Sequence, residues 1–156
     1  MLYYTSFTSK IKFMPLEQYF YFILQLLLSI ILGGLLGWQR EHIGKPAGSR
    51  TYALVCGGST LFTLMSIHGF EQEPARVAAQ ILTGIGFLGA GIIMHRESGA
   101  VVGLTTAAGL WAVAAVGMAV GIGWTLQSII AAAIIFAVMS VNDEKTLKPK
   151  KRKIFK

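Results

Sequence analysis

Between Val101 and Asn142 the chain reads VVGLTTAAGLWAVAAVGMAVGIGWTLQSIIAAAIIFAVMSVN, 42 residues without a single charge. One straight helix of that length would run about 63 Å, twice the roughly 30 Å of a bilayer's hydrocarbon core. The run therefore folds back on itself, and Gly121-Ile122-Gly123 is its natural break, because glycine tolerates tight turns and weakens a helix interior by about 1 kcal/mol. Two spans result, at Val101–Val120 and Trp124–Val141. Three more uncharged runs precede them: Tyr19–Trp38, Thr51–Phe70 with His68 near its end, and Val77–Met94. The expected fold is an all-α membrane protein, a bundle of five transmembrane helices covering residues 19–141. An N-terminal segment (1–18) precedes it and a basic tail (142–156) follows.

Composition agrees. Of the 156 residues, 54% are hydrophobic and 13% charged, where a soluble domain carries about 25% charged residues. A mean hydropathy of +0.61 excludes an extended disordered chain. The lone Cys56 lies in an apolar run, so neither a disulfide framework nor a cysteine-rich metal site is expected.

Basic residues give the orientation, since short cytoplasmic loops carry the excess of Lys and Arg. Five spans place Arg40, Lys45, Arg50, Arg96 and the seven basic residues of the tail on one side, 11 in all, against Lys10, Lys12 and Arg76 on the other. The N-terminus is expected outside and the C-terminus in the cytoplasm. Because Lys10 and Lys12 fall on the outer side, Met14 is a candidate natural start. The first span is too long for a signal-peptide core and has no small-residue cleavage site after it, so it reads as retained. The tail, with Lys145, Lys148, Lys150, Lys151, Arg152, Lys153 and Lys156, suits anionic lipid headgroups; it lacks the aromatic interleaving of a nucleic-acid binder.

Small residues spaced i, i+4 put close-packing surfaces on most spans: Gly33 and Gly37, Ala53 and Gly57, Gly86 and Ala90, Gly103 and Ala107, Gly117 and Gly121. They make self-association or a membrane-protein partner plausible. Gly84, Gly86, Gly89 and Gly91 crowd the third span. Such a helix either packs closely or unwinds to present carbonyls to a cation, and with Thr105 and Thr106 these glycines form a candidate ion path. Threonine hydroxyls bonding back to helix carbonyls are the plainer reading of that pair. No span carries an acidic or basic residue near its middle, so an intramembrane proton relay is not expected. Charges gather instead at the surfaces. Arg40, Glu41, Arg50, Thr51, Arg96 and Glu97 form a candidate cytoplasmic polar cluster, with snorkelling anchors as the alternative. Glu73 and Arg76 flank Pro74 on the outer side, where the proline marks a helix start.

No catalytic constellation is legible. Ser59 and His68 are nine residues apart on one helix, about 13 Å along its axis, beyond the reach of a nucleophile and its base. Phosphate loops, dinucleotide-binding loops and His pairs at metal-ligand spacing are missing from the sequence. The chain is expected not to be an enzyme and to need no cofactor.

Five stretches in order resemble the MgtC/SapB family of bacterial inner-membrane proteins. They are Gly37-Trp38-Gln39-Arg40-Glu41; Pro46-Ala47-Gly48-Ser49-Arg50-Thr51; Glu73-Pro74-Ala75-Arg76-Val77-Ala78-Ala79-Gln80; Gly84-Ile85-Gly86-Phe87-Leu88-Gly89-Ala90-Gly91; and Gly103-Leu104-Thr105-Thr106-Ala107-Ala108 with Trp111. The resemblance implies a five-helix membrane domain of a virulence-associated family linked to magnesium homeostasis, here in a short SapB-like form. It implies Mg²⁺ as a ligand or transported ion, with Mg²⁺ transport as the leading activity. The alternative is a non-transporting regulator that binds an ion pump or ATP synthase. Two departures stand out: Gln39 where the family usually has Glu, and Glu73 where it usually has Asp. The second keeps the charge. The first removes a carboxylate, for which Glu41 would have to substitute in any metal role.

Overall fold

The computed structural model describes residues 15–69, 73–95 and 100–141. Five helices follow one another: α1 Leu16–His42, α2 Ser49–Gly69, α3 Pro74–Ile92, α4 Leu104–Gly121 and α5 Thr125–Ser140. Between α3 and α4 two short strands, β1 Met94–His95 and β2 Val101–Val102, pair antiparallel with His95 opposite Val101. The sequence carries no signal for this ribbon. It takes the first residues of the uncharged run out of the helix, so α4 begins at Leu104 after Gly103, whose φ of 94° suits glycine alone at low cost. The break expected in that run is a turn at 122–124, with Gly123 at φ 86°.

Three of the helices are long and apolar enough to cross a membrane: α1, α3 and α4. α2 has 21 residues, about 31 Å, and α5 has 16, about 24 Å. α2 is the more polar because it turns Ser59, Thr60, Thr63 and Ser66 inward, all buried. The outside of the bundle is apolar. Phe20, Leu27, Ile31, Leu54, Phe62, Phe87, Leu126, Ile134 and Val138 are all exposed, the reverse of a protein folded in water.

The centre is α1, α2 and α4, with α3 laid on α2 and α4, and α5 on α4 and α1. These three helices meet at Cys56, fully buried between Gly33 of α1 and Gly117 of α4. A Cβ at Gly33 would stand 2.6 Å from the Tyr52 carbonyl oxygen, and one at Gly117 would press into the Cys56 carbonyl. Both glycines are demanded by the closeness of the helices. Hydrogen bonds complete the seam. The Thr60 hydroxyl donates to the Gly117 carbonyl at 2.7 Å, and Gln25 Nε2 donates to the Val120 carbonyl at 2.7 Å.

Candidate functional site

The polar residues cluster where α1 ends and α2 and α4 begin. Successive side chains on a helix point about 100° apart, since 3.6 residues make a turn. Gln39, Arg40 and Glu41 therefore fan out to three different helices. Gln39 Nε2 donates to Ser140 Oγ of α5 at 2.6 Å. Glu41 turns to the start of α2, where its Oε2 accepts from the Ser49 backbone N–H at 2.9 Å and from the Ser49 hydroxyl, fixing the corner Ile43–Gly48. Arg40 points into the bundle.

Arg40 is 1% exposed, the largest fully buried side chain in the described residues. Its Nη2 reaches the Thr106 hydroxyl, in the first turn of α4, at 3.5 Å, the limit for a hydrogen bond. The Tyr52 hydroxyl lies beside the guanidinium and donates to the Thr106 carbonyl at 3.4 Å. Arg40 Nε has no partner, and among the described residues no carboxylate pairs with this charge.

The expected cytoplasmic cluster is thus only partly assembled. Arg40 is buried, Glu41 is exposed and engaged with Ser49, and Arg50 and Thr51 are exposed on the first turn of α2. Arg96 and Glu97 lie outside the described residues. At the opposite end Arg76 Nη1 donates to Glu73 Oε2 at 2.8 Å, an exposed ion pair at the start of α3. The candidate ion path is not brought together. α3 is an unbroken helix; Gly84, Gly86 and Gly91 are exposed, and a Cβ on any of them would meet nothing within 4 Å. Gly89 alone is buried, against Ala107. Thr105 is exposed and Thr106 is committed to Arg40 and Tyr52. An apolar groove of about 600 Å³ does run between α2 and α3, with Ser59 and Gln80 as its polar lining. Among the described residues no three His, Cys, Asp or Glu side chains come together as metal ligands.

The sequence gives no sign of a role for Tyr52 or Ser140, holds Ser49 only as part of a family stretch, and by its charge pattern places Arg40 at the surface. One signal was there. The buried positions of α1 are Ser29, Leu32, Gly33, Leu36, Gly37 and Arg40, so the arginine continues the 3, 4 rhythm of the inward face.

Comparison with known proteins identifies the family. The model of the MgtC family matches residues 26–146, from α1 through α5 and into the tail. The chain belongs to the MgtC family. It is similar to the protein MgtC of Salmonella typhimurium, 47% identical over 116 residues, which are 74% of this chain and 50% of that protein. A protein of Escherichia coli K12 named "Putative magnesium transporter YhiD" is 40% identical over 136 residues, 81% of this chain and 63% of that protein. An uncharacterised protein of Haemophilus influenzae is 40% identical over 128 residues, 76% and 54%. The chain thus spans between half and two thirds of the length of these curated relatives. No solved structure matches it. Of the stretches that carry the resemblance, those around residues 37–40, Ser49 and Thr106 fall at the helix corners and seams described above, whereas Gly84, Gly86 and Gly91 lie on an exposed face of α3.

Proposed function

We propose that this MgtC-family chain is an integral protein of the bacterial inner membrane that serves magnesium homeostasis by binding and modulating another membrane protein, without conducting the ion through its core. The link to magnesium comes from the name carried by the Escherichia coli relative. The observation that carries the reading is Arg40. Two unit charges 4 Å apart repel by about 4 kcal/mol at an effective dielectric of 20, so a dication beside the guanidinium is opposed by roughly twice that. A fixed positive charge in the seam between α1, α2 and α4 makes that seam a poor route for Mg²⁺.

The glycine-tight packing around Cys56 supports the same reading, since it leaves the three central helices in direct contact. All five helices cross the bilayer in this proposal, with 11 basic residues on the cytoplasmic side. The basic tail adds attraction to anionic lipids, and neither an enzymatic step nor a cofactor is assigned.

A second reading keeps transport but moves it to the α2–α3 groove, where Ser59 and Gln80 supply oxygen atoms. Purified protein in liposomes loaded with a Mg²⁺-sensitive dye separates the two. Influx equal to that of protein-free liposomes is the expected result. Influx well above that level, lost in Gln80→Leu, establishes the groove reading instead.

A further inference from the structure

The geometry points to Arg40 as the anchor of a phosphate-binding site at the inner-leaflet end of the bundle, closed in this structure and opened by the headgroup phosphate of an anionic lipid or by a free phosphate. Three observations carry it. First, the guanidinium is buried, with Nε unpartnered, a 3.5 Å contact to the Thr106 hydroxyl and the Tyr52 hydroxyl beside it. Burying a charge without a paired counter-charge is costly; among the described residues no carboxylate pairs with Arg40, and its sequence neighbour Glu41 is turned away to Ser49.

Second, the contact of Arg40 is with Thr106, the third residue of α4. The free N–H groups of the first turn of an 18-residue helix and its positive dipole end therefore lie beside a second positive charge. α2 also begins at this end, and its first turn adds the exposed Arg50. A helix N-terminus together with an arginine fork is the donor set that phosphate oxygens fit: parallel N–H donors from a planar guanidinium and backbone N–H groups at the helix start.

Third, depth and closure suit a phosphate at the membrane surface. Arg40 follows two residues after Trp38, whose exposed ring suits the interfacial aromatic belt, and this proposal sets the guanidinium at headgroup level. The hydrogen bonds to Thr106 that close over it are long, Arg40 to its hydroxyl at 3.5 Å and Tyr52 to its carbonyl at 3.4 Å. Both are near the weak limit of hydrogen bonding, so opening sacrifices little.

The test uses the full chain in a phosphate-free maltoside detergent, with Trp111→Phe and Trp124→Phe introduced so that fluorescence reports Trp38, and with the melting temperature as second readout. Short-chain phosphatidylglycerol and inorganic phosphate are titrated separately. A parallel full-length variant, Lys150→Gln, Lys151→Gln, Arg152→Gln and Lys153→Gln, sets aside binding by the tail. The expected result is saturable binding that survives in the tail variant and weakens at least tenfold in Arg40→Gln. Saturation by phosphatidylglycerol alone assigns the lipid headgroup; saturation by inorganic phosphate as well assigns a free phosphate. Thr106→Val is decisive if Arg40→Gln fails to fold. Removing the hydroxyl that holds the guanidinium shut tightens binding severalfold under the proposal, whereas a purely structural Arg40 predicts lower stability with unchanged binding. No saturable binding by either probe, or equal binding in wild type and Arg40→Gln, overturns the site.

Discussion

At the scale of single residues, the glycines separate into two kinds that composition does not distinguish. Gly117 faces the Cys56 carbonyl so closely that a methyl group has no room, whereas Gly84 faces nothing within 4 Å. Gly117→Ala must therefore push α4 off α2, and overpacking of this sort costs about 1–3 kcal/mol. Gly84→Ala meets no neighbour and removes the backbone freedom of glycine in a helix, a gain of about 0.5–1 kcal/mol. Unfolding in mixed detergent micelles should show opposite signs for the two variants, and a comparable loss for both would mean that α3 packs against something closer than this structure shows. The same distinction explains why sequence alone gave equal weight to every i, i+4 pair. The spacing identifies a common helix face but not whether a neighbour lies on it, and Gly86 with Ala90 belongs to a face left exposed.

At the scale of elements, the corner between α1 and α2 depends on one carboxylate. Glu41 accepts from both the N–H and the hydroxyl of Ser49, satisfying an orphan donor at the start of α2 as a capping side chain does. Glu41→Gln keeps the size and halves the acceptor capacity, so amide exchange at Ser49 and its neighbours should accelerate while α4 and α5 keep their protection. Unchanged exchange at Ser49 would show that the loop holds itself. Helices and their order were legible because bilayer thickness and charge-free length are tied by a fixed rise per residue. The turn at Gly123 was legible for the same reason. The β1–β2 ribbon was not, since two-residue strands carry no alternation to read. Nor was the integrity of α3. Four glycines in eight residues favour unwinding in water, but in lipid the freed N–H and C=O groups have no solvent to replace their helical bonds. The direction of Arg40 was half legible, present in the periodicity of α1 yet outweighed by the general rule that arginines snorkel.

At the scale of the whole molecule, topology decides which face each site serves, and the single native thiol makes it measurable. Cys56 is fully buried between α1 and α4, and burial pushes away the reagents that seek a thiolate, so it should stay silent toward a bulky membrane-impermeant maleimide. Engineered cysteines then report without a background. Lys45→Cys, in the corner between α1 and α2, should be protected in intact spheroplasts and label only after permeabilisation. Trp124→Cys, exposed in the turn between α4 and α5, should label at once. α5 is the element under test, because its 16 residues extend about 24 Å, short of a 30 Å hydrocarbon layer, and must be accommodated by local thinning or by its flanking residues. A cysteine at Asn142 decides it. If α5 crosses, Asn142→Cys behaves as Lys45→Cys and the basic tail lies in the cytoplasm on the same side as Arg40. If Asn142→Cys labels from outside together with Trp124→Cys, α5 turns back within the outer leaflet. The tail then loses contact with the inner-leaflet lipids, and the charge asymmetry of 11 against 3 becomes 4 against 10.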